Sequence, residues 1–138
     1  MDDALTYEEV KAALKRMIMG KGVGGDKFNF EMLEKGGEYL WHNLHAVLQC
    51  CWEEEHIPQE WMEGIIVPLH KGGDAKDIGN YRGIMLGSHV AKLFCLILKE
   101  RLSKVVEGQG ILGDSQGGFR KKRQTVDQLF VVNGVMQL

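Results

Sequence analysis

No apolar run in this chain approaches the roughly 18 residues that a membrane-spanning helix needs. The opening segment, "MDDALTYEEV", is acidic and has no apolar centre, so it does not read as a signal peptide. Cysteine is sparse: three residues, an odd number, with Cys50 and Cys51 adjacent. Neighbouring cysteines rarely bridge each other, so no disulfide framework is implied and a reducing compartment is the natural reading. A strong excess of one charge is missing too. The formal net charge of −2 excludes the global basic field of many free-standing nucleic-acid binders. Any polyanion contact must therefore be local, and the charges are unevenly placed, with "EEE" at 53–55 and "RKKR" at 120–123. These absences lead to the expectation of a soluble intracellular protein, in cytoplasm or nucleus, with no membrane contact. The length of 138 residues suits one domain or a piece of a larger one, and 44% apolar residues suffice for a real core.

Several familiar chemistries lack their local signatures. "GKGVGG" at 20–25 matches G-x-G-x-x-G as a string, but a helical pattern precedes it where a dinucleotide fold needs a strand. It reads as a turn. His42, His45, Cys50, Cys51 and His56 suggest metal by count alone. One straight helix cannot gather four of them into a tetrahedron, so no metal site is expected. No Ser/His/Asp or Cys/His arrangement stands out, and no catalytic residue is assigned. Trp41, Trp52 and Trp61 sit among aliphatic residues at helical spacing and read as core.

What is present is a helix-rich pattern around one hairpin, an α+β chain. Residues 6–19 carry Val10, Leu14, Met17 and Ile18 on one helical face. Thr6 with Glu9 forms a capping box, and Leu5 with Val10 a hydrophobic staple. After the glycine-rich turn a short helical segment is expected through Met32–Leu33. A second long helix should run from about 38 to 55, with Leu40, Leu44, Val47, Leu48 and Cys51 inward and Pro58 closing it. "GIIVPLH" (64–70) reads as a strand, which Pro68 places at an edge or a bulge. The loop 72–80 and the returning strand "YRGIML" complete a hairpin over about 64–86. A third helix follows over about 89–106, capped by Ser88, with Val90, Leu93, Phe94, Ile97, Leu98, Leu102 and Val105 inward. Thr125 with Gln128 forms a further capping box, opening a helix with Leu129, Val132 and Met136 inward. That face reaches the final residue still apolar, as in an interrupted design.

Two cationic features remain. Lys71 and Arg82 stand at the shoulders of the hairpin, beside a glycine-rich loop whose backbone could approach a bulky ligand. They are either two solvated charges or a pair converging on one polyanion, Arg as a planar fork and Lys as a mobile point charge. "RKKRQT" (120–125) is either a solvated basic turn or an anion-binding patch ahead of a helix N-terminus.

Four segments, in order, carry a resemblance: "GKGVGGDKFNFEMLEKGG", "IPQEWMEGIIVPLHKGGDAKDIGNYRGIML", "KLFCLILKERL" and "SQGGFRKKRQTVDQL". Together they resemble the amino-terminal part of the reverse transcriptase of LINE-type (non-LTR) retrotransposons. That family carries K-A-P-G-P-D-G, I-P-x-x-W, a "K-K-G-D" strand end, "N-Y-R-G-I-S-L", a helix ending in "R-L", and "Q-x-G-F-R-x-G-R-S-T-x-D". The match covers nearly the whole chain, and linked motifs in order are far more specific than any one of them. It departs in the missing prolines of "GKGVGGDK", in Met85 and Gly87, and in Lys122 and Gln124, which interrupt "G-R-S-T".

The resemblance implies a right-hand polymerase fold, with 1–138 forming a truncated reverse transcriptase domain of fingers and palm entry. It places Lys71 and Arg82 on the phosphates of the incoming deoxynucleoside triphosphate. Gly72, Gly73, Asp74, Asn80, Tyr81 and Gly83 would shape the hairpin. Gln116, Phe119, Arg120, Lys121, Lys122 and Arg123 would lie along the RNA template or the RNA–DNA duplex. The family enzyme uses magnesium held by carboxylates of the palm strands. Here the only adjacent aspartates are Asp2 and Asp3, so no cofactor is expected in this piece and it should not polymerise without the missing palm and thumb. The alternative is a non-enzymatic remnant, domesticated or degenerate, that acts as an interaction or nucleic-acid-binding module.

Overall fold

A computed structural model of the chain describes residues 3–113, 116–118, 120 and 125–136. The chain divides into two compact units, Met1–Arg101 and Leu102–Leu138.

In the first unit, helix α1 (Tyr7–Leu14) starts where the sequence places it. The Thr6 hydroxyl accepts the Glu9 N–H while the Glu9 carboxylate accepts the Thr6 N–H, so both halves of the capping box form. Leu5 and Val10, the two ends of the staple, are both buried. The helix is shorter than the apolar pattern predicts. It closes at Lys15, and two tight turns carry Met17 into the core while Ile18 points to solvent. The period of the apolar residues therefore overran the helix by one turn, because a turn can deliver the same side chain to the same core.

The glycine-rich loop leads into α2 (Phe30–Lys35), capped by the Asn29 side chain, and then α3 (Gly37–Glu53). Leu44, Leu48 and Cys51 of α3 face the core as expected, whereas Val47 is about half exposed. This helix ends before Pro58 can act on it, closing as Glu55 turns left-handed at φ 52°. Pro58 instead opens a single-turn helix, α4 (Gln59–Met62), where its fixed φ is tolerated. The antiparallel pair β1 (Gly64–His70) and β2 (Tyr81–Gly87) follows, joined through a short 3₁₀ turn at Ile78–Asn80. In a two-stranded ribbon both strands are edges, so Pro68 interrupts no interior ladder. Helix α5 (His89–Gly108) then returns along the core, its first turn capped by the Ser88 hydroxyl.

The core is one apolar cluster drawn from α1, α2, α3 and α5, and Val10, Leu33, Leu48 and Leu93 are its most completely enclosed side chains. Truncating any of these leucines to alanine should cost about 2–5 kcal/mol through lost transfer energy and the cavity left behind. Trp41, Trp52 and Trp61 pack against the same cluster, as read from their spacing. The two histidines of α3 are packing residues. His42 stacks on Tyr7 at 4.2 Å, and His45 Nε2 lies 2.7 Å from the Leu5 carbonyl. Cys50, Cys51 and Cys95 are free thiols.

In the second unit α6 (Thr125–Met136) forms, but Leu129, Val132 and Met136 are exposed rather than inward. Burying an apolar stripe takes a facing apolar surface, and every described side chain of α6 is exposed. The expected Thr125–Gln128 capping box lies outside the described side chains. No described helix is long and apolar enough to cross a membrane.

Candidate functional site

The ribbon stands largely uncovered: every residue of β1 is exposed, and β2 is partly buried only at its two ends. Its register decides which side chains share a face. Leu69 pairs with Arg82 and His70 with Tyr81, and the ladder continues one step further as the Lys71 N–H donates to the Asn80 carbonyl at 2.7 Å. Paired residues share a face, and residues two apart on one strand share it too. Lys71 and Arg82 are therefore diagonal neighbours on the same face, at positions that typically lie about 7–8 Å apart. Both side chains are long enough to meet over one phosphate group. The opposite face carries His70 and Tyr81, whose rings pack with centroids 5.0 Å apart.

Among the described residues neither cation has an ion-pair partner. Lys71 Nζ makes one long contact, 3.4 Å to the Gly79 carbonyl, at the weak limit of a hydrogen bond. Among the described residues Arg82 has no hydrogen-bond or ion-pair partner. The acids of the loop are turned elsewhere. Asp74 accepts the Lys76 N–H and Asp77 accepts the Gly79 N–H, both at 2.9 Å, so these carboxylates shape the loop.

The loop holds its form through its own hydrogen bonds. Gly72 and Gly73 have φ of 117° and 86°, a region that only glycine enters without strain. The Asn80 amide donates to the Asp74 carbonyl and the Tyr81 hydroxyl to the Ala75 carbonyl, both at 2.9 Å, tying the loop to the start of β2. Gly83 lies opposite Pro68, where an added Cβ would come 3.1 Å from the Ile66 side chain. Asp77 was not singled out from the sequence, although an aspartate two residues before glycine is the signal for such a turn.

At the base of the ribbon, the 20–25 turn packs against the junction of β2 and α5. A Cβ on Gly24 would lie 2.7 Å from the Gly87 carbonyl carbon, so only glycine allows this approach.

In the second unit Arg120 is engaged within the chain. Its guanidinium grips both carboxylate oxygens of Glu107, at 3.0 and 2.8 Å, and donates to the Gly113 carbonyl at 3.0 Å. Gln116 donates its N–H to the same carbonyl at 3.1 Å. Phe119, Lys121, Lys122 and Arg123 lie outside the described residues. Among the described residues no three His, Cys, Asp or Glu side chains gather to hold a metal ion. The described residues therefore do not fit a two-ion carboxylate site, and no step below passes through one.

No family model matches the chain. Over 76 residues, 54% of this chain and 8% of the relative, it is 36% identical to the probable RNA-directed DNA polymerase from transposon X-element of Drosophila melanogaster. Over 130 residues, 91% of this chain and 14% of the relative, it is 29% identical to the probable RNA-directed DNA polymerase from transposon BS of the same fly. Over 110 residues, 77% of this chain and 8% of the relative, it is 28% identical to the transposon TX1 uncharacterized 149 kDa protein of Xenopus laevis. These matches bear out the resemblance to transposon-encoded RNA-directed DNA polymerases. The chain spans only a small part of each relative, 14% at most.

Proposed function

We propose that this chain is the fingers and palm entry of a right-hand reverse transcriptase, and that its ribbon grips the triphosphate of an incoming deoxynucleotide. The observation that carries this reading is the placement of Lys71 and Arg82 on one face, with both charges available. A triphosphate concentrates negative charge over a few ångströms, which suits one planar fork and one mobile ammonium. The loop between them, tied by Asn80 and Tyr81, holds the two arms at fixed spacing before any ligand arrives. Pre-ordering of this kind lowers the conformational cost of binding.

RNA template and RNA–DNA duplex are the proposed nucleic-acid partners. Gln116 and Phe119 line their path, and Lys121, Lys122 and Arg123 supply contacts to backbone phosphates. Arg120, which also donates to Glu107 and to the Gly113 carbonyl, completes this proposed template- and duplex-facing set. The chemical step belongs to carboxylates and magnesium of palm strands, so this chain binds substrate without joining nucleotides.

Titration of a deoxynucleoside triphosphate into the chain tests the grip, with the unphosphorylated deoxynucleoside as control. Saturable triphosphate binding, weakened about tenfold by either Lys71→Ala or Arg82→Ala, is expected from the loss of a charge-assisted contact. Binding that ignores both substitutions contradicts the reading.

The ribbon also exposes apolar side chains on both faces, Ile66 and Met85 on one, at 71% and 65%, and Ile65 on the other, at 50%. An apolar surface of that extent favours a second reading, in which a remnant without polymerase chemistry serves as a protein-interaction module. Binding to an RNA–DNA duplex that falls steeply with salt supports the polymerase-derived reading, and salt-insensitive or absent duplex binding supports the second.

A further inference from the structure

Within the first unit, beside the C-terminal end of α3, lies a cavity of about 590 Å³. That volume falls in the roughly 300–1,000 Å³ range of small-molecule sites. Trp52, Ile57, Phe94 and Leu98 give it apolar walls, and Glu53 and Glu55 border it. Among the described residues that line it there is no Lys, Arg or His.

The charge around this cavity has one sign. Glu53, Glu54 and Glu55 stand at the C-terminal end of α3, a helix of 17 residues whose dipole already puts partial negative charge there. The last turn holds no basic residue. Acids at that end oppose the dipole, so the sequence collects carboxylates where a helix favours them least. Among the described residues neither Glu53 nor Glu55 has an ion-pair partner. Glu53 is nonetheless held in place. Its carboxylate accepts from Gln49 Nε2 at 2.6 Å, and Gln49 Oε1 in turn accepts the Leu5 N–H at 2.7 Å. Arg101 passes 5.1 Å from the Trp52 ring centre, but its guanidinium is engaged by Glu9 and by the Asp3 and Ala4 carbonyls. Burial pushes up the pKa of the Cys51 thiol in the cavity wall, and the Glu54 carboxylate adds to that rise. An apolar space under a negative field is complementary to a cation that carries an apolar body.

We infer that this cavity binds a small organic ammonium ion with an aromatic body, its ring packed among Trp52, Ile57 and Phe94 and its charge set between Glu53, Glu55 and the end of α3. The ring contributes affinity through apolar burial and aromatic packing. The ammonium contributes selectivity, because charge-assisted hydrogen bonds to carboxylates strengthen a cation and the same carboxylates repel an anion. The site shares no residue with the ribbon and stands whether or not the triphosphate grip exists.

The test is an NMR titration of the 138-residue chain with three ligands of one shape at constant ionic strength and neutral pH. Tryptamine carries the ammonium, tryptophol a neutral hydroxyl and indole-3-propionate a carboxylate. Tryptamine should produce saturable shifts at the Trp52 indole N–H and the Cys51 amide at millimolar concentration. Tryptophol should bind about tenfold more weakly, and indole-3-propionate more weakly still. The double substitution Glu53→Gln, Glu55→Gln lies on exposed residues, keeps a carbonyl oxygen for Gln49 and relieves the helix end, so the fold should persist. It should bring tryptamine down to the affinity of tryptophol while leaving tryptophol unchanged. Ile57→Ala should weaken both ligands alike. Lys71→Ala and Arg82→Ala should leave the tryptamine shifts as they are, which separates this site from the ribbon. Equal affinity for tryptamine and tryptophol, no saturable tryptamine shift at Trp52, or tryptamine binding insensitive to the double substitution overturns the site.

Discussion

Arg101 Nη2 lies 2.7 Å from Glu9 Oε2, joining two residues 92 positions apart in the chain. The same guanidinium donates to the carbonyls of Asp3 and Ala4, at 2.6 and 2.8 Å, and lies 5.1 Å from the Trp52 ring centre. Glu9 meanwhile closes the capping box of α1. One pair therefore fastens the start of the chain to α5 and holds the first helix at its cap.

Arg101→Ala should lower stability by about 2 kcal/mol, since charge-assisted hydrogen bonds and an aromatic contact are lost together. The pair also predicts a pH response. The Arg101 guanidinium, aided by the Thr6 contacts, lowers the Glu9 pKa from 4.5 to about 2. A depressed folded pKa makes this contribution fully present above 4.5 and lost as pH falls towards 2. Urea unfolding across that window should show an acid limb in the parent that is shallower in Arg101→Ala.

Gly24 and Gly25 are adjacent, yet their substitutions should behave oppositely. A Cβ at Gly24 meets backbone of Gly87 and Ser88 at 2.7–2.9 Å, whereas one at Gly25 meets nothing within 4 Å. Gly24→Ala should cost about 2 kcal/mol by forcing the turn away from the β2–α5 junction. Gly25→Ala should stay within about 0.5 kcal/mol of the parent. Paired denaturant melts check both.

Tyr81→Phe removes only the hydroxyl that ties the loop at Ala75. Amide exchange in residues 72–80 should quicken while the global unfolding midpoint barely moves, because Tyr81 and its loop lie outside the apolar core. Hydrogen exchange read by mass spectrometry separates the two effects.

Local signals were legible in the sequence wherever one interaction decides the outcome. The Thr6–Glu9 box, the Ser88 cap, both strands and the loop between them stand where residue chemistry puts them. Helix ends were less legible. Met17 reaches the core through turns beyond α1, and α3 stops at a left-handed Glu55, which no breaker residue announces. The inward face expected of α6 failed because an apolar period reports a capacity for burial, while burial itself needs a partner surface. The position of Lys71 and Arg82 at the shoulders of the hairpin was legible, whereas their shared face comes from the strand register, which residue chemistry does not announce. The packing of the 20–25 turn on Gly87 and Ser88 was not legible, since it joins backbone segments far apart in sequence.

The purified chain with magnesium, a primed RNA template and all four deoxynucleotides should show no primer extension. Its described residues gather no carboxylate set for two metal ions. Radiolabelled extension assays read this directly, and measurable incorporation would contradict it.

The central claim is that Lys71 and Arg82 act together on one triphosphate, and a double-mutant cycle on triphosphate affinity tests it most directly. The account predicts that Lys71→Ala and Arg82→Ala each weaken binding, with a coupling energy of about 1 kcal/mol between them. Strict additivity, or a double variant that binds as tightly as the parent, would contradict it.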